Sequence, residues 1–312
     1  MIIRRLARYF LIFALCLLAT VLLLSLIFGR SLIRSLAGEN SFLSRLDNLL
    51  KQEEQVSTVL RPEKTVRFVE GWTNRDMGQY LEGQGIWQSE ELLESAGFPQ
   101  VDYSLETDMP LPLDFSQQYN FLQDKPLSRG LEGYLYPDTY RIYAASSTPA
   151  DLIVKMLSNF DQKLTAQMRA DIKKQGKTIY EIVTMASILE KEAPINYASG
   201  DNRDARIIAG IFWDRIKVGQ ALQSCASLAY ILGVNKSQYS AADTQIESPY
   251  NTYKYRGLPP GPISNPGILA IEAAIYPLST NYNYFLTPSG SKEIIYAATY
   301  EEHLRNKNKY LP

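Results

Sequence analysis

The first pattern in the chain is a run of apolar and uncharged positions from Tyr9 to Phe28. At 1.5 Å per residue this run spans roughly the 30 Å hydrocarbon layer of a bilayer, so it predicts a single N-terminal transmembrane helix. Arg4, Arg5 and Arg8 stand immediately before it, which keeps residues 1–8 in the cytoplasm and places the rest of the chain outside. A cleaved signal peptide is the rival reading, but the run is long for that role and no A-x-A site follows it directly. Residues 29–64 have helical spacing broken by Gly38 and interrupted at Pro62, the pattern of a juxtamembrane stalk.

From there the pattern alternates briefly (Val66, Phe68) and turns at Gly71. Two short helices follow, one capped by Thr73 and carrying Met77, Tyr80 and Leu81, the other capped by Ser89 and carrying Leu92 and Leu93. This strand-helix-helix module fills 65–112 and ends in a Pro-rich stretch around Pro110 and Pro112. Residues 113–312 form a larger domain whose periodicity predicts helices over 149–163, 178–193, 203–217, 222–232 and 266–276. Between the last two runs the irregular SPYNTYKYRGLPPGPISNPG, too long for an ordinary connection. Two short strands around Pro288-Ser289-Gly290 and a terminal helix close the chain. The expected fold class is α+β: a membrane helix, a small module, and a mostly helical domain with a short β element.

Charge and composition narrow the chemistry. Lys+Arg 32 against Asp+Glu 33 leaves no global basic field, so nucleic acid is not an expected partner. With His303 the only imidazole and two cysteines far apart, a His- or Cys-rich metal site lacks ligands, and no metal or organic cofactor is expected. Cys16 falls inside the span. Cys225 is then the one thiol outside it, and it reads as a small buried side chain.

The feature that stands out is a carboxylate on an apolar stripe. In TIYEIVTMASILEKEAP, Ile179, Ile182, Val183 and Ala186 share one helical face with Glu190 at its centre. Glu192 lies about 200° away on the same wheel and reads as a solvent-side charge. Pro194 ends the helix near Glu190, and burial together with the negative end of the dipole disfavours ionisation. Such a carboxyl suits a general acid, or else a buried ion pair with Arg203 or Arg206.

ASILEKEA, then RIIAGIFWDRIKVGQALQS, SPYNTYKYRGLPPGPISNPG and a terminal EEH-x-x-N, together with the upstream LEGYLYPDTY, resemble the YceG-like family of membrane-anchored endolytic murein transglycosylases. The resemblance runs from about Val66 to the end. It implies that Glu190, the first Glu of the E-K-E motif, is the catalytic acid/base. It further implies that the small module is LysM-like, that 113–312 is the catalytic domain, and that the MurNAc-GlcNAc β-1,4 bond of peptidoglycan is cut to leave 1,6-anhydro-MurNAc ends. Action on nascent strands beside peptidoglycan synthases is implied as well. Many members read LQTDPT where this chain has Leu222 to Ser227, so Cys225 replaces an Asp. Near the end many carry a His where this chain has Ile294.

The remaining candidates are substrate contacts. Gln223, Tyr250, Asn251, Thr252 and Tyr253 suit a sugar groove, with aromatic faces for pyranose rings and amides and hydroxyls for their substituents. Glu132 and Asp138 sit in a turn-rich segment, where Asp138 after Pro137 fits a turn or cap. They matter to one alternative, an ordinary glycoside hydrolase, because that reaction needs a second carboxylate. His303 reads as structural. A catalytically silent, glycan-binding anchor is the other alternative.

Overall fold

The computed structural model describes residues 63–311 apart from 107, 144, 145, 237, 289, 290 and 292. The expected membrane helix over 9–28, the stalk up to Pro62 and the tip of the 288–290 turn lie outside the described residues. Among those described, no helix is long and apolar enough to cross a membrane.

Nine α-helices and four short strands make up the described part, an α+β fold. They run β1 (Glu63–Arg67), α1 (Asn74–Gly83), α2 (Ser89–Ala96), β2 (Thr139–Tyr143), α3 (Pro149–Lys163), α4 (Ala166–Lys174) and α5 (Ile179–Glu192). Then come α6 (Arg203–Lys217), α7 (Cys225–Leu232), α8 (Ile268–Ile275), β3 (Tyr284–Leu286), β4 (Ile295–Ala297) and α9 (Tyr300–Tyr310). The helix starts follow a local rule. Thr73, Thr148 and Thr178 each accept a bond from the backbone N–H three residues on, while Asp76, Asp151 and Glu181 reach back to the cap N–H. Helix α4 has an equivalent Thr165 cap but a weak apolar stripe, which is why periodicity passes over it. Gln88, not Ser89, caps α2.

Strand β1 of the small module does not pair within that module. It pairs antiparallel with β2, Glu63 opposite Tyr143 and Arg67 opposite Thr139, so the segments before and after residue 113 share a sheet. They also share a core: Phe68, Met77, Leu81 and Leu92 belong to the same buried cluster as Tyr134, Phe160, Ile182 and Ile271. β3 and β4 form a separate antiparallel pair.

Helix α5 runs through the middle of that cluster, and every residue from Ile182 to Leu189 is buried. A helix buried all round has no solvent face. Its polar groups are therefore internally paired: Thr184 Oγ1 donates to Tyr180 O, and Ser187 Oγ accepts the N–H of Ile263. The 260s loop thus docks on α5. Asn265 ties this loop to the rest, its Oδ1 accepting from Gly133 N and Leu135 N and its Nδ2 donating to Trp72 O and Asn74 Oδ1. Gly133 is required at this junction. Its φ is +90, and a Cβ there would lie 2.5 Å from Pro262 Cβ and 2.8 Å from Val183 Cγ1.

Candidate functional site

The segment from Leu222 to Ser224 is irregular rather than helical, so α7 starts at Cys225, three residues later than periodicity predicts. Gln223 has φ 54, an unusual conformation for a residue with a Cβ, and its N–H is held by Thr252 O at 3.0 Å. That kink presents the N-terminal end of α7 to the last residue of α5. Glu192 Oε1 accepts a hydrogen bond from Ser224 Oγ at 2.5 Å and another from Ala226 N at 3.1 Å. Glu192 is therefore not the solvent-side charge expected from the helical wheel. The wheel places it correctly opposite Glu190, but what lies on that side is the α7 loop rather than water. Burial raises its pKa, opposed by the bonds from Ser224 and Ala226.

Glu192 lines a cavity of about 510 Å³, a size typical of small-ligand sites. Gln223, Cys225 and Tyr253 form its wall on the α7 side, and Arg215 of α6, Tyr284 of β3 and His303 of α9 form the other. Glu192 is the one carboxylate among the described residues lining it. Cys225 is exposed here, not buried as expected, and its Sγ lies 3.1 Å from Tyr253 Oη. Burial of its sulfur by neighbouring groups nonetheless pushes the thiol pKa up.

Glu190 occupies a different setting. Its Oε2 accepts from Tyr197 Oη at 2.5 Å and from Gly267 N at 3.0 Å, at the N-terminal end of α8. Burial pushes its pKa up to about 6 against those two bonds. The alternative of an arginine partner is not realised at Arg206, whose Nε donates to Tyr276 O.

Of the predicted sugar contacts, Gln223 and Tyr253 line the cavity. Tyr250, Asn251 and Thr252 are buried at 4%, 0% and 1% exposure and support the loop from within. Thr252 Oγ1 accepts from Ser224 N, and Asn251 Nδ2 donates to Thr244 O and Ile246 O. Glu132 is also buried, accepting from Asn74 N at 2.9 Å, and burial pushes its pKa to about 8. Asp138 accepts from Thr139 N beside it and from Asn159 Nδ2 of α3, bonds that fasten the start of β2 to that helix. Neither lines the Glu192 cavity. The sequence reading missed Arg215, Tyr284, Tyr300 and Lys307 and read His303 as structural. Only the i, i+3, i+7 spacing of Tyr300, His303 and Lys307 hinted that they share a face.

The chain matches the YceG-like family over residues 36–309. It is 35% identical over 192 residues, 62% of its length, to the endolytic murein transglycosylase of Bacillus subtilis, and that match covers 51% of the relative. With the endolytic murein transglycosylase of Streptococcus pneumoniae it shares 36% identity over 181 residues, 56% of this chain and 31% of the relative. The matches therefore span about half or less of these relatives. A crystal structure of a YceG-like protein from Listeria monocytogenes superposes with a TM-score of 0.64 at 30% identity, covering 83% of this chain and 80% of that one.

Proposed function

Because the chain belongs to the YceG-like family, and its cavity holds a lone carboxylate, we propose that it is a peptidoglycan lytic transglycosylase in which Glu192 is the acid and base. The observation that carries this reading is the position of Glu192 in the wall of the cavity, without a second carboxylate among the lining residues described. A retaining hydrolase needs two carboxyl groups about 5 Å apart and an inverting one needs them roughly 6.5 to 9.5 Å apart. With no second carboxylate among the described lining residues to activate water, the C6 hydroxyl of the muramoyl unit is the favoured nucleophile, since intramolecular attack has a large effective-molarity advantage.

In this reaction protonated Glu192 gives its proton to the leaving glycosidic oxygen as the bond to the muramoyl C1 breaks. The carboxylate then takes the proton of the C6 hydroxyl while that oxygen bonds to C1. The product end is 1,6-anhydro-MurNAc, and Glu192 is protonated again. Ser224 Oγ and Ala226 N stabilise the carboxylate stage of the cycle, while burial supports the acid stage.

A second reading gives the acid role to Glu190. It is favoured by the resemblance and by a pKa of about 6. Glu192→Gln and Glu190→Gln, incubated with intact sacculi and followed by mass spectrometry of the muropeptides, separate the two. Loss of anhydro ends in Glu192→Gln with retention in Glu190→Gln supports the first reading, and the reverse pattern overturns it. Predominantly reducing muramic ends from the unaltered enzyme would sink transglycosylation itself.

The same proposal has residues 9–28 anchor the enzyme in the cytoplasmic membrane, with its N-terminus inside and the 63–311 unit outside, near strands under synthesis and the synthases that make them. The 65–112 strand-helix-helix module acts as a LysM-like glycan contact. Protease added to spheroplasts should digest the external unit, and protection until the membrane is lysed would reverse the topology.

A further inference from the structure

The cavity contains more positive charge than acid catalysis needs. Tyr300, His303 and Lys307 fall on one face of α9, and all three line the cavity. No residue of α9 is fully buried, so this stripe is not explained as core packing. Behind it lies Arg215, 5% exposed, with Nη1 donating to Leu222 O at 2.6 Å and Nη2 to Asn283 O at 2.5 Å. Its Nε is buried without a hydrogen-bond partner, as is Nδ1 of His303. Tyr284 connects the two: its ring stacks on His303 at 5.2 Å, and the Arg215 guanidinium carbon lies 5.6 Å from the ring centroid. Lys307 makes no ion pair among the described residues.

Two permanent cations and an imidazole thus share a cavity with one carboxylate. A neutral amino sugar offers hydroxyl and acetamido oxygens as acceptors but no negative charge to balance such a surplus. Arg215 has lost its hydration while Lys307 stands exposed at the rim, and a bound anion would supply the negative charge that the single Glu192 carboxylate leaves short.

We propose that Lys307 and His303, backed by Arg215, form an anion subsite that binds a carboxylate of the substrate and so selects the sugar with an acidic arm over its neutral neighbour. The proposal rests on the glycan-cleaving reading of the same cavity. It adds a specificity determinant: the carboxylate is either the lactyl group of N-acetylmuramic acid or an acid of an attached stem peptide. Burial, Lys307 and Arg215 together hold the His303 imidazole below its usual pKa, the condition that an anion lodged among them would relieve.

The test is binding of tetrasaccharides of alternating N-acetylglucosamine and N-acetylmuramic acid to the full chain carrying Glu192→Gln, by calorimetry. Four ligands are compared: peptide-free with lactyl carboxylates, the same with those groups converted to methylamides, peptide-bearing, and peptide-bearing with its acids amidated. We expect the carboxylate form of one pair to bind about tenfold tighter than its amide, the scale of one charge-assisted hydrogen bond. The pair that shows the difference identifies the source of the anion. Lys307→Gln should abolish the ratio, Lys307→Arg should restore most of it, and Lys309→Gln, outside the cavity wall, should leave it intact. Equal binding of acid and amide in both pairs overturns the subsite, as does a ratio that survives in Lys307→Gln. Because binding is read without turnover, absence of anhydro products would overturn the reaction while the ratio still decides the subsite. Failure of all four ligands to bind would overturn both.

Discussion

Glu190 and Glu192 project from opposite faces of α5, and each accepts a backbone N–H at the N-terminal end of a different helix, Gly267 before α8 for Glu190 and Ala226 of α7 for Glu192. Amide dipoles at a helix N-terminus favour the anion while burial favours the acid, and in both carboxyls burial wins. The difference between them is access, because the α7 side opens on the cavity.

Glu190 therefore has a measurable structural role. Glu190→Ala leaves Tyr197 Oη and Gly267 N without their acceptor and should cost about 2–3 kcal/mol in urea unfolding. Glu190→Gln keeps an acceptor oxygen and should lose less than about 1 kcal/mol while retaining most of its glycan cleavage. An inactive Glu190→Gln of unchanged stability would return the acid role to Glu190.

Glu132 should make stability pH-dependent. Its pKa is about 8 in the fold against an ordinary value of 4.5, so between those limits the folded chain holds the extra proton. By linkage, the contribution is fully present below about pH 4.5 and is lost as pH rises through 8. Glu132→Gln, which cannot ionise, should flatten that decline, so its urea midpoint gains on the unaltered protein from pH 6 to pH 9. A difference that stays constant across this range would show that Glu132 is not titrating.

Gln223 couples backbone strain to the cavity wall. Gln223→Gly relieves the positive φ of 54 and should stabilise the fold by up to roughly 1 kcal/mol. It also removes a side chain from the cavity, so KM for glycan should rise with kcat less affected. A stability loss in thermal unfolding would mean that the Gln223 side chain contributes more than its backbone costs.

Cys225 is accessible but its thiol is held in the protonated form, a combination that sets its reactivity. Alkylation by N-ethylmaleimide should be slower than for a free thiol at pH 7, accelerate at higher pH, and block cleavage by filling the cavity mouth. Cys225→Ser should remain active and resist inhibition. Rapid alkylation at pH 7 would contradict the raised pKa.

Local chemistry made much of this fold readable from residues alone. The Thr caps with an acid three positions on mark α1, α3 and α5 because the bonds they make lie within a single turn. The helices at 149–163 and 203–217 have a strong enough apolar period to place both ends. A carboxyl on the apolar stripe at the end of α5 was legible too, since helical spacing and a helix end are local properties.

What tertiary structure alone decided is which carboxyl faces the cavity. A helical wheel separates Glu190 from Glu192 but assigns one side to core and the other to water, and α5 is buried on both. The answer depends on α7, whose N-terminus is turned toward Glu192 by the backbone of Gln223 and braced by Thr252, 28 residues beyond Ser224 in sequence. The same non-local packing turned Tyr250, Asn251 and Thr252 inward and gathered Arg215, Tyr284 and His303 into one wall. Periodicity records how a segment meets its own axis, whereas a cavity forms where several axes fail to close, and only the packed chain contains that information.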